Sequence, residues 1–344
     1  MKNEETERFK SNSSSSSTDF TIIGPGALGR SLLAALAAAG GEIRSVVSRR
    51  AGESIHFGSD PRDGSGSDPT RHEADSELET SSDLNPSQPD SDPIPGDTGL
   101  GNGIKSLQLE ELDDDHTGGI LFITTPDDAI AEVVERLSHL ELNWNERIVA
   151  HCSGLLSSKV LQPLKDRGAG VASFHPLQTF TGSADSERFH RIHISVEGEG
   201  HAVDRLWSVA VSLGATPLRL DPDQKGILHI AAVFLSNYLV VLEGVADQLI
   251  RQHIPGSDCR ILEPLLEQTL SNLRKMPPEK ALTGPISRGD RQTVEKHLER
   301  LGKMDNQNLP KLYRDLGLEA VKLALADGRL DGEQARELKK RLMK

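Results

Sequence analysis

The run Asp19-Phe20-Thr21-Ile22-Ile23-Gly24-Pro25-Gly26-Ala27-Leu28-Gly29 decides how this chain folds. Phe20 to Ile23 is a short apolar run with β character. It passes straight into Gly24, and an alanine- and leucine-rich stretch from Ala27 to Ala39 follows with helical character. A strand, a glycine turn and a helix in that order give the spacing G-x-G-x-x-G a physical meaning. The first glycine permits the tight turn, the second lets backbone approach a pyrophosphate, and the third lets helix pack closely on strand. Unpaired N–H groups at the helix start favour a phosphate there. Gly24, Gly26, Ala27, Leu28 and Gly29 are therefore expected to hold a dinucleotide. A glycine turn that binds nothing is the bland alternative, and it does not account for the flanking strand and helix.

The next strand, Ile43 to Ser48, should show which dinucleotide. A site for the unphosphorylated form usually presents Asp or Glu to the ribose hydroxyls at this point. Here the chain reads Ser48-Arg49-Arg50. One hydroxyl and two guanidiniums suit a 2′-phosphate, which arginine can grip with two hydrogen bonds. The expected cofactor is thus NADP(H), against the alternative of a merely basic surface loop.

Further along, β-rich runs and helical stretches keep alternating: Ile120–Thr124, Asp128–His139, Arg147–Ser153, Ser157–Arg167, Val171–His175, Ile192–Val196, His201–Leu213 and Thr216–Leu220. Such alternation predicts an α/β fold, a Rossmann doubly wound parallel sheet with helices on both faces. After Asp221 only helical periods remain, and one long helix is expected from Gln224 to about Ile250. The expected division is a disordered tail at 1–18, a Rossmann domain at 19–221 and an all-α domain for substrate and dimerisation at 222–344.

The formal net charge of -13 is concentrated in one place. Residues 52–105 carry a net -9 and read as Ser, Asp, Gly and Pro with little apolar periodicity, so -4 is left for the remainder. That segment is expected to be a disordered acidic insertion. A mildly acidic remainder argues against a nucleic-acid partner. No secretory h-region is seen at the N-terminus, and no apolar run is read as reaching the ~20 residues that span a bilayer. Two cysteines, Cys152 and Cys259, give no disulfide framework and suit a cytoplasmic protein.

Ligands of doubly wound sheets lie beyond the carboxyl ends of the strands. Three such ends carry polar groups: Thr124-Thr125-Pro126, with Asp127 as the expected N-cap of the next helix; His151-Cys152-Ser153-Gly154; and His175-Pro176-Leu177-Gln178. Thr124, Thr125, Pro126, His151 and Ser153 are expected beside the cofactor. Histidine suits proton transfer near neutral pH, although either histidine would serve equally as a structural hydrogen-bonding residue. Lys225, His229, Val233 and Asn237 recur every four residues and so share one helical stripe. His229 and His175 are the candidate proton donors, and Asn237 would orient the substrate. Apolar neighbours such as Ile230, Phe234 and Leu235 suggest a helix buried around the stripe. Lys225, Thr283 and Arg288 are candidate substrate contacts, and Asp290 is the expected cap of the helix that starts at Arg291. Cys152 reads better as a buried hydrophobe than as a nucleophile, and no ligand spacing supports a metal.

Taken together, GPGALG, HCSG (151–154), SFHPLQTF (173–180), HIAAVFLSN (229–237) and ALTGPISRGD (281–290) resemble the proposed oxidoreductases that join a Rossmann-like domain to the domain of unknown function 2520. The resemblance runs from Asp19 to Ala326, interrupted by the acidic insertion. It implies an architecture similar to the 6-phosphogluconate dehydrogenase and pyrroline-5-carboxylate reductase superfamily. It also implies dimerisation through an all-α C-terminal domain, a small molecule bound between domains, and hydride transfer. That superfamily's Lys-and-Asn helix pairing is met only loosely, since Lys225 and Asn237 are three turns apart with His229 between them. The expectation is an NADPH-dependent reductase of a small carbonyl or imine compound. A dinucleotide-binding regulator without chemistry is the main alternative, with a methyltransferase behind it. A deazaflavin in place of the small substrate stays open.

Overall fold

A computed structural model describes residues 18–49, 104–182 and 184–344. The tail, Arg50 and nearly all of the acidic insertion lie outside the described residues. The chain divides into two compact units, with the division after Tyr238.

The first unit is built on one eight-stranded sheet, β3-β2-β1-β4-β5-β6-β7-β8. The strands are β1 (Asp19–Ile23), β2 (Glu42–Val47), β3 (Lys105–Leu107), β4 (Ile120–Ile123), β5 (Ile148–His151), β6 (Gly170–Pro176), β7 (His193–Gly198) and β8 (Thr216–Arg219). Helices α1 (Ala27–Ala38), α2 (Asp127–Ser138), α3 (Gln162–Asp166) and α4 (Gly200–Ser212) connect them, and α5 (Pro222–Leu235) closes the unit. The order 3-2-1-4-5-6 is that of a Rossmann sheet, whose ligand crevice opens where the order reverses, between β1 and β4.

Two apolar layers sandwich the sheet. Phe20, Ile22, Phe122, Ala150 and Phe174 face α1 and α4 on one side. Ile23, Leu121, Ile123, Val149 and Val171 face α2 and α3 on the other. Strict alternation along each strand sends neighbours to opposite layers. Phe122 stacks between Phe20 and Phe174, with ring centroids 6.2 and 5.1 Å away.

Three details differ from the sequence reading. β3 starts at Lys105, where the insertion was expected still to run. Its three residues, Lys105-Ser106-Leu107, are too few for a periodic signal. The sheet is not wholly parallel, because β7 runs antiparallel to β6 while β8 runs parallel to β7. Among the described residues the link from β6 to β7 holds a 3-10 turn, Ser186–Phe189, and no crossover helix of the kind a parallel neighbour needs. The expected long helix is two: α5 ends at Leu235 and α6 (Asn237–His253) begins after Ser236, whose ψ of -70° departs from the regular helix.

The second unit comprises α6, α7 (Glu263–Lys275), α8 (Pro278–Ala281), α9 (Arg291–Leu301), α10 (Asn308–Ala326) and α11 (Gly332–Leu342). Its core is small, with Val294, Val321, Ala324, Leu330 and Leu338 at its centre.

Candidate functional site

The glycine turn is fastened from below. Gly24 takes a φ of +91°, and its N–H donates to the Val47 carbonyl at 2.9 Å. The Thr124 hydroxyl donates to the Gly24 carbonyl at 2.6 Å, which ties the end of β4 to the turn after β1. Gly29 is packed so closely that a Cβ there would lie 2.5 Å from the Gly24 oxygen and 2.6 Å from Thr124 Oγ1. Gly26 differs. It has an ordinary φ of -70°, and a Cβ added to it would meet nothing within 4 Å. Neither backbone strain nor packing inside the protein accounts for glycine at this position.

Gly24, Gly26, Ser48, Arg49, Thr125 and Pro126 line a cavity of about 580 Å³ at the carboxyl ends of β1, β2 and β4. Helix α1 starts at this cavity with no side chain capping its N-terminus, so its first N–H groups can meet an anion. Ala27 and Leu28 supply two of those groups, while the Leu28 side chain packs back on the core. Thr125 Oγ1 is buried among these residues with no hydrogen-bond partner. Open space at Gly26, a bare helix start, an orphaned hydroxyl and the exposed Arg49 together fit a dinucleotide phosphate. The wall opposite the glycine turn was missed from sequence: Glu110 and Arg136 form an ion pair there, with Nε donating at 2.9 Å. Nothing in their local sequence links two residues 26 apart.

Asp127 is not the N-cap of α2. Pro126 holds that place without a side-chain bond, and Asp127, the first helical residue, accepts a hydrogen bond from Ser153 at 2.6 Å. Ser153 Oγ also receives the N–H groups of Leu155 and Leu156. This side chain therefore shapes the turn after β5.

Beyond that turn, the structure brings His151, His175, His229 and Lys225 into one neighbourhood. His151 is fully buried, and burial with the nearby Lys225 charge holds it down to about 3. His175 is half-buried and held down to about 4 by burial, with His229 and Lys225 adding to the effect. Both are neutral imidazoles at pH 7. The rings of His175 and His229 meet edge to face, 5.6 Å between centroids. Gly154 runs against this pair: a Cβ there would collide with His229 Nδ1 and lie 2.8 Å from His175 Nε2. Burial pushes Cys152 up to about 12, so its thiol is inert, as its sequence setting suggested.

Helix α5 encloses part of its polar stripe but leaves exposed the apolar neighbours that were expected to be buried. Lys225 is buried and its ammonium donates to the Leu156 carbonyl, and His229 is half-buried. Ile227, Ile230, Phe234 and Leu235 are exposed at 50% or more. The polar stripe faces the sheet unit and the apolar residues face outward, which is why α5 belongs with the first unit. Asn237 is exposed. Thr283 and Arg288 are also exposed, in the second unit, where Asp290 caps α9 through the Thr293 N–H at 3.1 Å as expected.

Two family models match this chain. Residues 104–176 match a Rossmann-like domain and residues 192–320 match the domain of unknown function DUF2520. The two matches follow one another along the chain, the Rossmann-like one first. Its fold is similar to that of a proposed NADP oxidoreductase from Bacteroides fragilis, 19% identical, with 88% of this chain and 98% of that one covered at a TM-score of 0.63. It is also similar to a protein from Thermotoga maritima, 21% identical, with 90% and 99% covered at a TM-score of 0.58. No curated protein sequence matches the chain.

Proposed function

We propose that this protein is an NADP(H)-dependent oxidoreductase that reduces a small carbonyl or imine compound beside His175 and His229. The observation that carries the reading is the open space at Gly26, facing a cavity that holds the start of α1, Ser48 and Arg49. Gly24, Gly26 and the N–H groups of Ala27 and Leu28 would hold the pyrophosphate. Ser48 and Arg49 would hold the 2′-phosphate, together with Arg50, which lies outside the described residues. Thr124 keeps the turn in shape, and Thr125 and Pro126 form the cavity wall towards β4. When bound, the dinucleotide supplies a hydride; the protein supplies position and a proton. A second small molecule beside His175 and His229 would meet their ring nitrogens. The similarity to a proposed NADP oxidoreductase agrees with this reading at the level of fold.

A fluorescence titration tests it. NADPH should bind at least about tenfold more tightly than NADH, a difference of ~1.4 kcal/mol, and Arg49→Ala should remove most of that preference. Equal affinities would remove the 2′-phosphate assignment. Turnover of NADPH with a panel of ketones and imines should fall in His175→Ala and His229→Ala. Full turnover in both variants would leave the histidines without a role, and no turnover with any compound would favour a regulator.

We also propose a homodimer formed through the outward face of α5. Within Pro222–His253 an 18-residue window has a mean hydropathy of 1.7, enough by length and composition alone to pass for a membrane span. The buried Lys225 and half-buried His229 on the same stretch favour a protein partner over lipid. Light scattering should give twice the chain mass, and Ile230→Asp with Phe234→Asp should give one. A wild-type monomer, or recovery in membranes, would overturn the proposal.

A further inference from the structure

Two chemically different sets of residues line the cavity at the glycine turn. Gly24, Gly26, Ser48 and Arg49 form the set that suits phosphates. The second set comes largely from α2, which contributes Ala129, Glu132, Val133 and Arg136. Their spacing of three and four residues puts them on one helical face. Val47 at the end of β2 and Leu109 after β3, both buried, join Ala129 and Val133 as the apolar part of the lining. Apolar walls of this kind suit the faces of a flat ring, since neither side asks for a hydrogen bond.

Glu110 lines the same cavity, tied to Arg136. The guanidinium gives it two hydrogen bonds, through Nε at 2.9 Å and through Nη2, and both end on Oε1. Glu132 stands 3.8 Å from Nη1 of the same arginine. Two carboxylates against one guanidinium leave this part of the lining one unit negative, so it repels phosphate and favours a group that donates hydrogen bonds. Arg136 is thus engaged, and the phosphate role stays with Arg49. Glu110 is the better fixed of the two acids. Its 3-10 turn, Leu109–Glu111, is closed by the Gln108 N–H, which donates to the Glu111 carboxylate at 2.7 Å, and Leu109 roots the turn in the core. The Glu132 side chain is 75% exposed and beyond hydrogen-bond reach of Arg136. An exposed ion pair adds little to stability by itself, so the role of Glu110 and Arg136 is sought in the cavity they line. With both Arg136 bonds on Oε1, Oε2 of Glu110 keeps the capacity to accept from a ligand.

We propose that Glu110 selects the base of the dinucleotide: its carboxylate accepts the 6-amino group of adenine, and Arg136 is the positioning residue that holds the carboxylate for it. This assignment rests on the NADP(H) reading above. Of the two ring systems in NADPH, nicotinamide belongs with the hydride acceptor, which leaves adenine for the apolar part of this cavity. The 6-amino group is the N–H donor of that base, and its ring nitrogens only accept. An ionised carboxylate accepts from an amino group, whereas a carbonyl in the same place meets it with a lone pair. The site therefore favours adenine over hypoxanthine, which carries oxygen in place of the amino group. Hypoxanthine has a ring N–H one position away, and it meets Glu110 only if the base shifts against the apolar walls.

Fluorescence titration of the full-length protein tests this without any substrate, using NADPH and reduced nicotinamide hypoxanthine dinucleotide phosphate. The wild type should bind NADPH about tenfold more tightly, the weight of one hydrogen bond to a charged group. Glu110→Gln, whose amide both donates and accepts, should bring the two affinities to within about twofold. Glu132→Gln removes a charge from the same lining and should leave the ratio at its wild-type value. Equal affinities in the wild type, or an undiminished ratio in Glu110→Gln, would overturn the proposal. So would a ratio that Glu132→Gln narrows as much, because charge in the cavity and not contact with Glu110 would then set it. Thermal melts show whether each variant is folded, and the wild-type ratio decides the matter if Glu110→Gln is not. Preference for NADPH over NADH with the hypoxanthine form bound equally well would sink the base assignment alone. Failure of both phosphorylated dinucleotides to bind would sink the dinucleotide reading with it.

Discussion

Gly26→Ala should leave the protein as stable as the wild type and weaken NADPH binding at least tenfold. The backbone at Gly26 has a φ that any residue adopts, and an added Cβ meets no protein atom within 4 Å. Replacing this capping glycine by alanine changes stability by only some tenths to about 1 kcal/mol. The methyl group would instead stand in the space where the pyrophosphate must approach backbone N–H groups. Loss of tenfold in affinity corresponds to about 1.4 kcal/mol. Gly29→Ala gives the contrast, because its Cβ would press on the Gly24 oxygen and Thr124 Oγ1. That variant should unfold at lower temperature even without ligand, by an overpacking cost of roughly 1–3 kcal/mol. Thermal melts with and without NADPH separate the two. If Gly26→Ala binds NADPH normally, the cavity does not take a pyrophosphate at this point.

The difference between these two glycines also shows what was legible in the sequence. A strand running into Gly24-x-Gly26-x-x-Gly29 carries its own geometry, because turn, approach and packing are all local demands. The sheet order and the cavity follow from it. The polarity of α5 did not follow, since the period of four told which residues share a face and not which way that face points. Apolar neighbours such as Phe234 suggested burial, whereas the structure buries Lys225 and leaves Phe234 65% exposed. The buried partner of Lys225 is a carbonyl 69 residues earlier, and no local pattern encodes it. Glu197 was silent for the same reason. Within its own strand it reads as an ordinary outward acid, and only the turn at Ser158 shows it to be enclosed. Asp127 shows the converse case: a strong capping residue stands first in the helix and its carboxylate accepts from Ser153, a partner 26 residues on.

Gly154→Ala should lower turnover by about two orders of magnitude while leaving NADPH affinity unchanged. The turn after β5 is pinned by Ser153, whose hydroxyl holds Asp127 and the N–H groups of Leu155 and Leu156, so Gly154 has little room to retreat. Its added methyl group would collide with His229 Nδ1 and sit 2.8 Å from His175 Nε2. Backbone held on one side and helix α5 on the other leave the imidazoles as the groups that move. A displacement of ~1 Å in a positioned proton donor is worth roughly a hundredfold in rate. The cofactor cavity is lined by other residues, so its affinity should not follow. Histidine Cε1 chemical shifts report the displacement directly, and NADPH oxidation with an accepted ketone or imine reports its cost. Shifted histidine signals with undiminished turnover would mean that the pair is a packing contact, and the proton would then have to reach the substrate by a route that avoids both rings.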